Sequence, residues 1–484
     1  MSRHSLGKSV FYNFAGVIVQ LLATAVTVPF YLHAIGEARF GIMSLIWLLF
    51  GYFGLFDFGL SRATANRLAR LRGGDQRERS AVFHTAIAMN MLLGLFAGAV
   101  FYVAAVPLLT YLSGGTTELA TEIPKALPWI AAFFPLAMVG GVFIGSLEAE
   151  EQFFTINLQQ IVGTILIQCL PLAAVLLFGA QIEVAVIGAI AARFLSVAWS
   201  AVTAIRMIPS HGRPEVRLEL GRSLLKYGGW VTVTNSISPL LVSSDQFLIA
   251  FTLGAGAVAY YSVPFNLAMK ALIVPGALTR ALFPRLSSLQ GPAAAELADR
   301  ASGALAGVMA LICAPAIVLS NIGLTLWVGP EFASAATPVA EALLVGAWFN
   351  GVAFVPFALL QGQGKPDVVA KIHALELIPF VSLLWVFLQL FGLQGAALAW
   401  VARVSLDTAL LYWATGDVTR RMRPLMVPAS IVVFTYGCTV ALHPTPAAAV
   451  ISAFAILACT TLYVARVNLA LRDKLSRALH SISQ

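Results

Sequence analysis

The sequence predicts an all-α, polytopic membrane protein with about 14 transmembrane helices. Three observations predict it. Apolar residues make up 59% of the 484 residues and charged residues 11%, where a soluble domain is nearer 25% charged. The apolar residues come as a relay of stretches about 20 residues long, the length that crosses a bilayer as a helix. Of 30 Lys and Arg, 25 lie at the termini or in every second connection, and two, Arg39 and Lys125, lie in the opposite connections.

The elements follow in order, with ends placed to within several residues. The first span, 10–33, follows Arg3 and Lys8 and reads as a retained helix rather than a removable leader. The second covers 41–61, and the third and fourth, 81–112 and 124–146, flank the longest outer loop, 113–123. Spans five to ten are read at 157–179, 183–205, 228–253, 258–279, 303–328 and 338–361. Gly362-Gln363-Gly364-Lys365-Pro366 is then a turn; it lacks the strand and helix of a phosphate-binding loop. Spans eleven and twelve, 371–391 and 394–414, precede a final hairpin, 425–442 and 446–465, turned at His443-Pro444-Thr445-Pro446. Several spans exceed the minimal crossing length and are expected to tilt. Prolines inside them, among them Pro29, Pro135 and Pro275, permit bending.

The split of basic residues places both termini in the cytoplasm of a bacterial inner membrane. The net charge of +8 is therefore a topology signal, and nucleic acid is not an expected partner. One inner loop, Glu148-Ala149-Glu150-Glu151, has no cation. Cys169, Cys313, Cys438 and Cys459 stand alone in apolar runs, without metal-type spacing. No polar region is large enough for an appended catalytic domain and no nucleotide motif occurs, so the chain reads as neither an enzyme nor a cofactor or metal binder.

A shift of 218 residues lays Lys8 on Lys226, Gly36 on Gly254, Ser44 on Ser262, Arg62 on Arg280 and Arg67 on Arg285. Six spans separate the copies, so both have one orientation. The repeat predicts two parallel, pseudo-symmetric six-helix bundles, 1–212 and 213–424, with a helix pair and cytoplasmic tail at 425–484. A cavity between the bundles is the expected substrate site.

Arg193, Lys270 and Arg403 fall near mid-membrane, where a charge costs roughly 2.5–3.5 kcal/mol. Arg193 and Arg403 each lie about ten residues into the sixth span of their half, at an offset of 210. Asp407, four residues after Arg403, can pair with it on one helix face; Asp245 can neutralise Lys270, and Asp57 can pair with Arg62 or Arg67. Arg193 has no acid within four residues. A cationic cavity suits an anionic substrate such as a phosphate. The three carboxylates are candidates for ion coupling or charge pairing.

Two stretches carry a family resemblance. Tyr31 to Gly41 (YLHAIGEARFG) and Phe56 to Ala63 (FDFGLSRA) resemble the opening of polysaccharide-export flippases of the Wzx type. Leu253-Gly254, Tyr260-Tyr261-Ser262 and Phe283-Pro284-Arg285-Leu286-Ser287 resemble their second-half signature. That family stands in the superfamily of multidrug and toxin extruders and lipid II flippases. The resemblance implies translocation of undecaprenyl-pyrophosphate-linked oligosaccharide from the cytoplasmic to the periplasmic leaflet, by alternating access, for cell-surface polysaccharide. It also implies partners: the lipid-linked oligosaccharide, membrane lipids, a glycan polymerase and export machinery. The alternative within the fold is a cation-coupled multidrug extruder, whose cationic substrates favour acids in the cavity.

Overall fold

The computed structural model describes residues 3–56, 59–71, 75–112, 117–208, 215–222, 244–289, 291–416 and 418–482. Among these the regular structure is helical, with no strand. Among the described residues eleven helices are long and apolar enough to cross a membrane. Contacts divide the chain into two compact units: residues 1–243 with 254–259, and residues 244–253 with 260–484. The final hairpin belongs to the second unit.

In the first unit, α1 (Arg3–Phe56) joins the first expected span to the second. Gly36, at φ 75°, interrupts its helical geometry. The left-handed region penalises any Cβ, and only glycine enters it freely. The interruption folds the helix sharply: the Tyr31 and Trp47 rings meet at 5.2 Å, where sixteen residues of straight helix would span about 24 Å. Short α2 (Leu60–Arg70) starts behind Gly59, φ 67°, and ends on Arg67 and Arg70. Then come α3 (Gln76–Leu112) and α4 (Thr117–Ala149). A Cβ on Gly94 would lie 2.4 Å from Pro135 Cα, and one on Gly98 2.6 Å from the Ala131 carbonyl oxygen. The small residues four apart let the two backbones touch, which replaces the hydrophobic drive missing in lipid. α5 (Phe153–Phe178) and α6 (Ile182–Met207) pack through Gly188, whose absent Cβ leaves room for Pro171. α4 touches every other helix of this unit and is the most buried.

The acidic loop after α4 is matched from its own side of the unit. Glu150 pairs with Arg79, which is buried at the start of α3. Outside the spans, Arg217 donates to Glu215 and holds that carboxyl below the usual carboxylate range.

In the second unit, α7 (residues 244–253) ends at Gly254, φ 87°. The expected eighth span is a broken helix, α8 (Ala255–Lys270) and α9 (Ile273–Ser288). Pro275 has no N–H to offer the Ala271 carbonyl, and its ring crowds that group; the Ala271 carbonyl instead takes a tighter bond from Val274 N–H. α10 (Gly291–Val328) and α11 (Pro330–Gly362) follow. α12 (Pro366–Ala414) merges the eleventh and twelfth expected spans across Gly392, φ 58°. The fold there is so tight that a Cβ on Gly395 would lie 2.0 Å from the Phe387 carbonyl oxygen. α13 (Val418–Met422), a 3-10 turn, α14 (Met426–Leu442) and α15 (Pro446–Ile482) complete the chain. α11 takes the place of α4: it packs on α9, α10, α12 and α14 and is the most buried helix of its unit.

The sequence repeat has local structural counterparts. Gly36 and Gly254, matched at 218, both have positive φ. After α4, Gln152 N–H bonds the Leu147 carbonyl and Glu151 N–H the Glu148 carbonyl; after α11, Lys365 and Gly364 do the same to Leu360 and Gln361. This is the Schellman end of a helix, with Glu151 (φ 58°) and Gly364 (φ 74°) in the left-handed position. These turns recur at 213, as do Gly179 and Gly392, both with positive φ.

Candidate functional site

The candidate site residues are the charges that the fold carries to membrane depth. Arg193 lies on α6 in the first unit. Its guanidinium sits over the Phe133 ring of α4, 5.7 Å from the centroid, and Phe133 stacks on Phe50 of α1 at 3.5 Å. Gly140 on α4 opens the space beside it: a Cβ there would come within 3.8 Å of Nη2. The buried Nε has no hydrogen-bond partner. Among the described residues no carboxylate pairs with Arg193. The aromatic face supplies partial compensation through its quadrupole.

Lys270, in the second unit, ends α8 at the break before α9. At the break the Ala268 and Met269 carbonyls accept from Ala271 and Leu272 N–H, and a cation there opposes the negative end of the helix dipole. Among the described residues it too has no carboxylate partner. Asp245 is not its counter-ion. Asp245 is fully buried on α7, accepts a hydrogen bond from Tyr261 Oη of α8 at 2.6 Å, and accepts another from Gln246 N–H at 2.7 Å. Tyr261 was not visible as a site residue, because a tyrosine in an apolar run reads first as packing or interface anchoring.

Arg403 differs most from expectation. Its Nε stands 3.5 Å from Glu376 Oε2, on the other half of folded α12, and its guanidinium lies over Phe380, 5.4 Å from the centroid. Asp407, expected to hold Arg403, instead lies with Oδ1 3.4 Å from His373 Nε2. The pairing runs across the Gly392 fold rather than along one helix face, so spacing of four residues did not reveal it. His373 and Glu376, three residues apart and therefore on one face, were the missed signal. The register also changes. Gly179 to Arg193 is fourteen residues and Gly392 to Arg403 is eleven. The turns put Ile190, not Arg193, at the counterpart of Arg403.

Asp57 lies outside the described residues. Arg39 is held within the first unit, where Nη2 donates to Glu122 Oε1 at 2.6 Å and Ile182 N–H donates to Oε2 at 3.2 Å. That carboxylate clamps α1, α4 and α6, a structural role. Among the described residues, no group of three His, Cys, Asp or Glu is placed to hold a metal ion.

Known proteins bear on the same chain. The family model described as Polysaccharide biosynthesis protein matches residues 6–290. A relative from Shigella flexneri named "Putative O-antigen transporter" is 31% identical over 413 residues, covering 84% of this chain and 97% of its own. Among solved structures, a lipid II flippase MurJ in an inward closed conformation superposes with a TM-score of 0.70 at 14% identity, covering 97% of this chain and 99% of its own. An inward-facing multidrug resistance transporter of the MATE family follows with a TM-score of 0.66 at 17% identity, covering 85% and 98%. At those identities the two structures establish the fold alone.

Proposed function

The chain belongs to the polysaccharide biosynthesis protein family, as a Wzx-type flippase of the superfamily that holds the lipid II flippases and multidrug extruders, and from that membership we propose that it flips a lipid-linked oligosaccharide across the inner membrane. The head group carries sugar and pyrophosphate, which cannot enter hydrocarbon unaided. Arg193 is the observation that carries the reading: a guanidinium within an apolar span, seated on an aromatic ring, with no carboxylate partner among the described residues. A site of that kind is completed by an anion. Lys270 supplies a second cation without a carboxylate partner among the described residues.

The proposed cycle is alternating access by two parallel repeats, with fourteen crossings. The eleven long helices among the described residues and the folds at Gly36 and Gly392 support thirteen of these, and the expected span 228–253 falls largely outside the described residues. The sugar and phosphates stay sheltered while the polyprenyl tail remains in lipid. Both termini are proposed to be cytoplasmic, and the direction outward. A negative cytoplasm favours export of anionic charge by about 2.3 kcal/mol per charge per 100 mV. A glycan polymerase and export machinery receive the product.

Reconstitution tests this. In liposomes, the full chain should move an undecaprenyl-pyrophosphate-linked glycan between leaflets and respond to an imposed potential. Exchange of cationic dyes for protons, with lipid-linked glycan left in place, would establish the drug-extruder reading instead.

A further inference from the structure

Helix α5 carries two kinds of glutamine. Gln159 is 4% exposed and faces α6, where its Oε1 accepts from Ser200 Oγ at 3.0 Å and its Nε2 donates to Thr203 Oγ1 at 3.4 Å. That is the polar glue expected between helices in lipid. Gln160, the next residue, is exposed. Its backbone carbonyl accepts from Thr164 Oγ1 at 2.8 Å, while its side-chain amide has no hydrogen-bond partner among the described residues.

Gln160 belongs to a stripe. Asn157, Gln160, Thr164 and Gln168 follow one another at i, i+3, i+7 and i+11, so they share one face of α5. α1 carries a matching stripe, Gln20, Thr24, Thr27 and Tyr31, at i, i+4, i+7 and i+11. The two meet at their C-terminal ends. Thr27 Oγ1 lies 3.2 Å from Gln168 Oε1, and Tyr31 Oη donates to the Gln168 carbonyl at 3.0 Å. Toward the N-terminal ends the stripes are left open. Gln20 is exposed like Gln160, and among the described residues its amide too has no partner. Each of these amides stands about 10–12 Å along its helix from the contact at Thr27 and Gln168.

An unbonded amide is costly in hydrocarbon, where no water serves it. Packing does not require these two, since Gln159 already serves α6 and Gln168 serves α1. Amides and hydroxyls each supply a donor and an acceptor without charge. That chemistry matches the hydroxyls of a sugar chain rather than its phosphates. Folded α1 also ties the stripe to the guanidinium of Arg193. Tyr31 meets Trp47 across the Gly36 fold at 5.2 Å, and Phe50, one turn beyond Trp47, stacks on the Phe133 ring beneath Arg193.

We propose that the α1–α5 stripe binds the sugars of the transported glycan, with Gln20 and Gln160 as its contacts and the Thr27–Gln168 contact holding the helices at its closed end. Arg193 takes the phosphates and the uncharged stripe takes the sugars, so preference for a glycan-bearing carrier over the bare carrier is set within the first unit. That the glycan is lipid-linked rests on the function proposed above.

Equilibrium binding to the full-length protein, in a detergent without a sugar head group, tests the stripe apart from transport. The probes are undecaprenyl pyrophosphate alone and the same lipid bearing a neutral tetrasaccharide. The unmodified protein should hold the glycan-bearing lipid more tightly. Gln160→Leu should cut that preference about 3- to 10-fold, the worth of one neutral hydrogen bond, and leave the bare lipid unchanged. Gln20→Leu should do the same, so either variant decides if the other fails to fold. Equal binding of the two lipids by the unmodified protein overturns the proposal. So does a preference that survives in the folded variant, or a loss of both lipids alike, which would make the amides structural. Gln160→Cys, in a chain whose own cysteines are replaced by Ser, should react in liposomes with a water-soluble maleimide. Absence of reaction would place the face in lipid, and disulfide-linked dimers would place it against a second copy; either overturns the proposal. A protein that moves neither lipid in liposomes yet keeps the glycan preference in detergent would sink the transport reading and leave the stripe standing.

Discussion

Arg193 and Arg403 look like twins in the sequence and have opposite surroundings. Each follows two small apolar residues near the middle of a span. Arg193 has an aromatic ring beneath it and an unbonded Nε. Arg403 has a ring too, but Glu376 lies beside it and Asp245 is a further charged neighbour. The difference comes from the helices that deliver the neighbours. α6 places Arg193 against α4, whose facing positions are Phe133 and Gly140. α12 folds on itself and brings Arg403 to its own first half, which carries His373 and Glu376. An arginine left uncompensated is a receptor for an anion; one already compensated is part of the scaffold.

Substitutions can break or sharpen that contrast. The largest effect is expected at Arg403. Arg403→Leu strands the carboxyls and should destabilise the second unit by about 3 kcal/mol, the low end for a broken buried pair because a carboxyl can take up a proton instead. Less folded protein should be recovered from membranes, and Glu376→Gln in the same chain should restore much of it. Recovery unaffected by Arg403→Leu would remove the distinction between the two arginines.

Arg193→Leu should do the reverse. Folding should hold, since no buried partner is stranded, while glycan translocation falls about 10- to 100-fold, the worth of a charge-assisted bond of roughly 1.5–3 kcal/mol. Full activity in Arg193→Leu would make the residue structural.

Gly392→Ala places a Cβ in the left-handed region and should cost about 1–2 kcal/mol. Thermal unfolding in detergent should record it, with the same sign as Arg403→Leu because both loosen the α12 fold. The smallest effect is expected from Phe133→Leu, which removes a cation–π contact of about 0.5–2 kcal/mol. Translocation should fall only a few-fold, and a larger loss would assign the ring to sugar stacking.

The charge pattern made the membrane class legible. Runs of apolar length, basic residues in alternate connections and glycine at repeated positions are properties of the chain taken one residue at a time. Gly36 and Gly254 were matched by the repeat, and their shared positive φ follows from a conformational freedom that belongs to the residue itself. The partners of the charges could not be read. Asp407 was expected with Arg403 at a spacing of four, and Asp245 with Lys270. In each case a side chain from another segment is nearer: His373 for Asp407, Tyr261 for Asp245. The missed residues, Glu376 and His373, look ordinary near a span end until α12 folds.

The amino-acid sequence by itself determined the helical membrane fold, the repeated glycine positions and the rarity of charge within the spans. Each follows from hydropathy summed over a window or from a dihedral that one residue type permits. The tertiary structure decided which charges are satisfied. Compensation acts over a few ångströms in space, and residues 376 and 403 come within that range only because a single glycine between them folds the helix back.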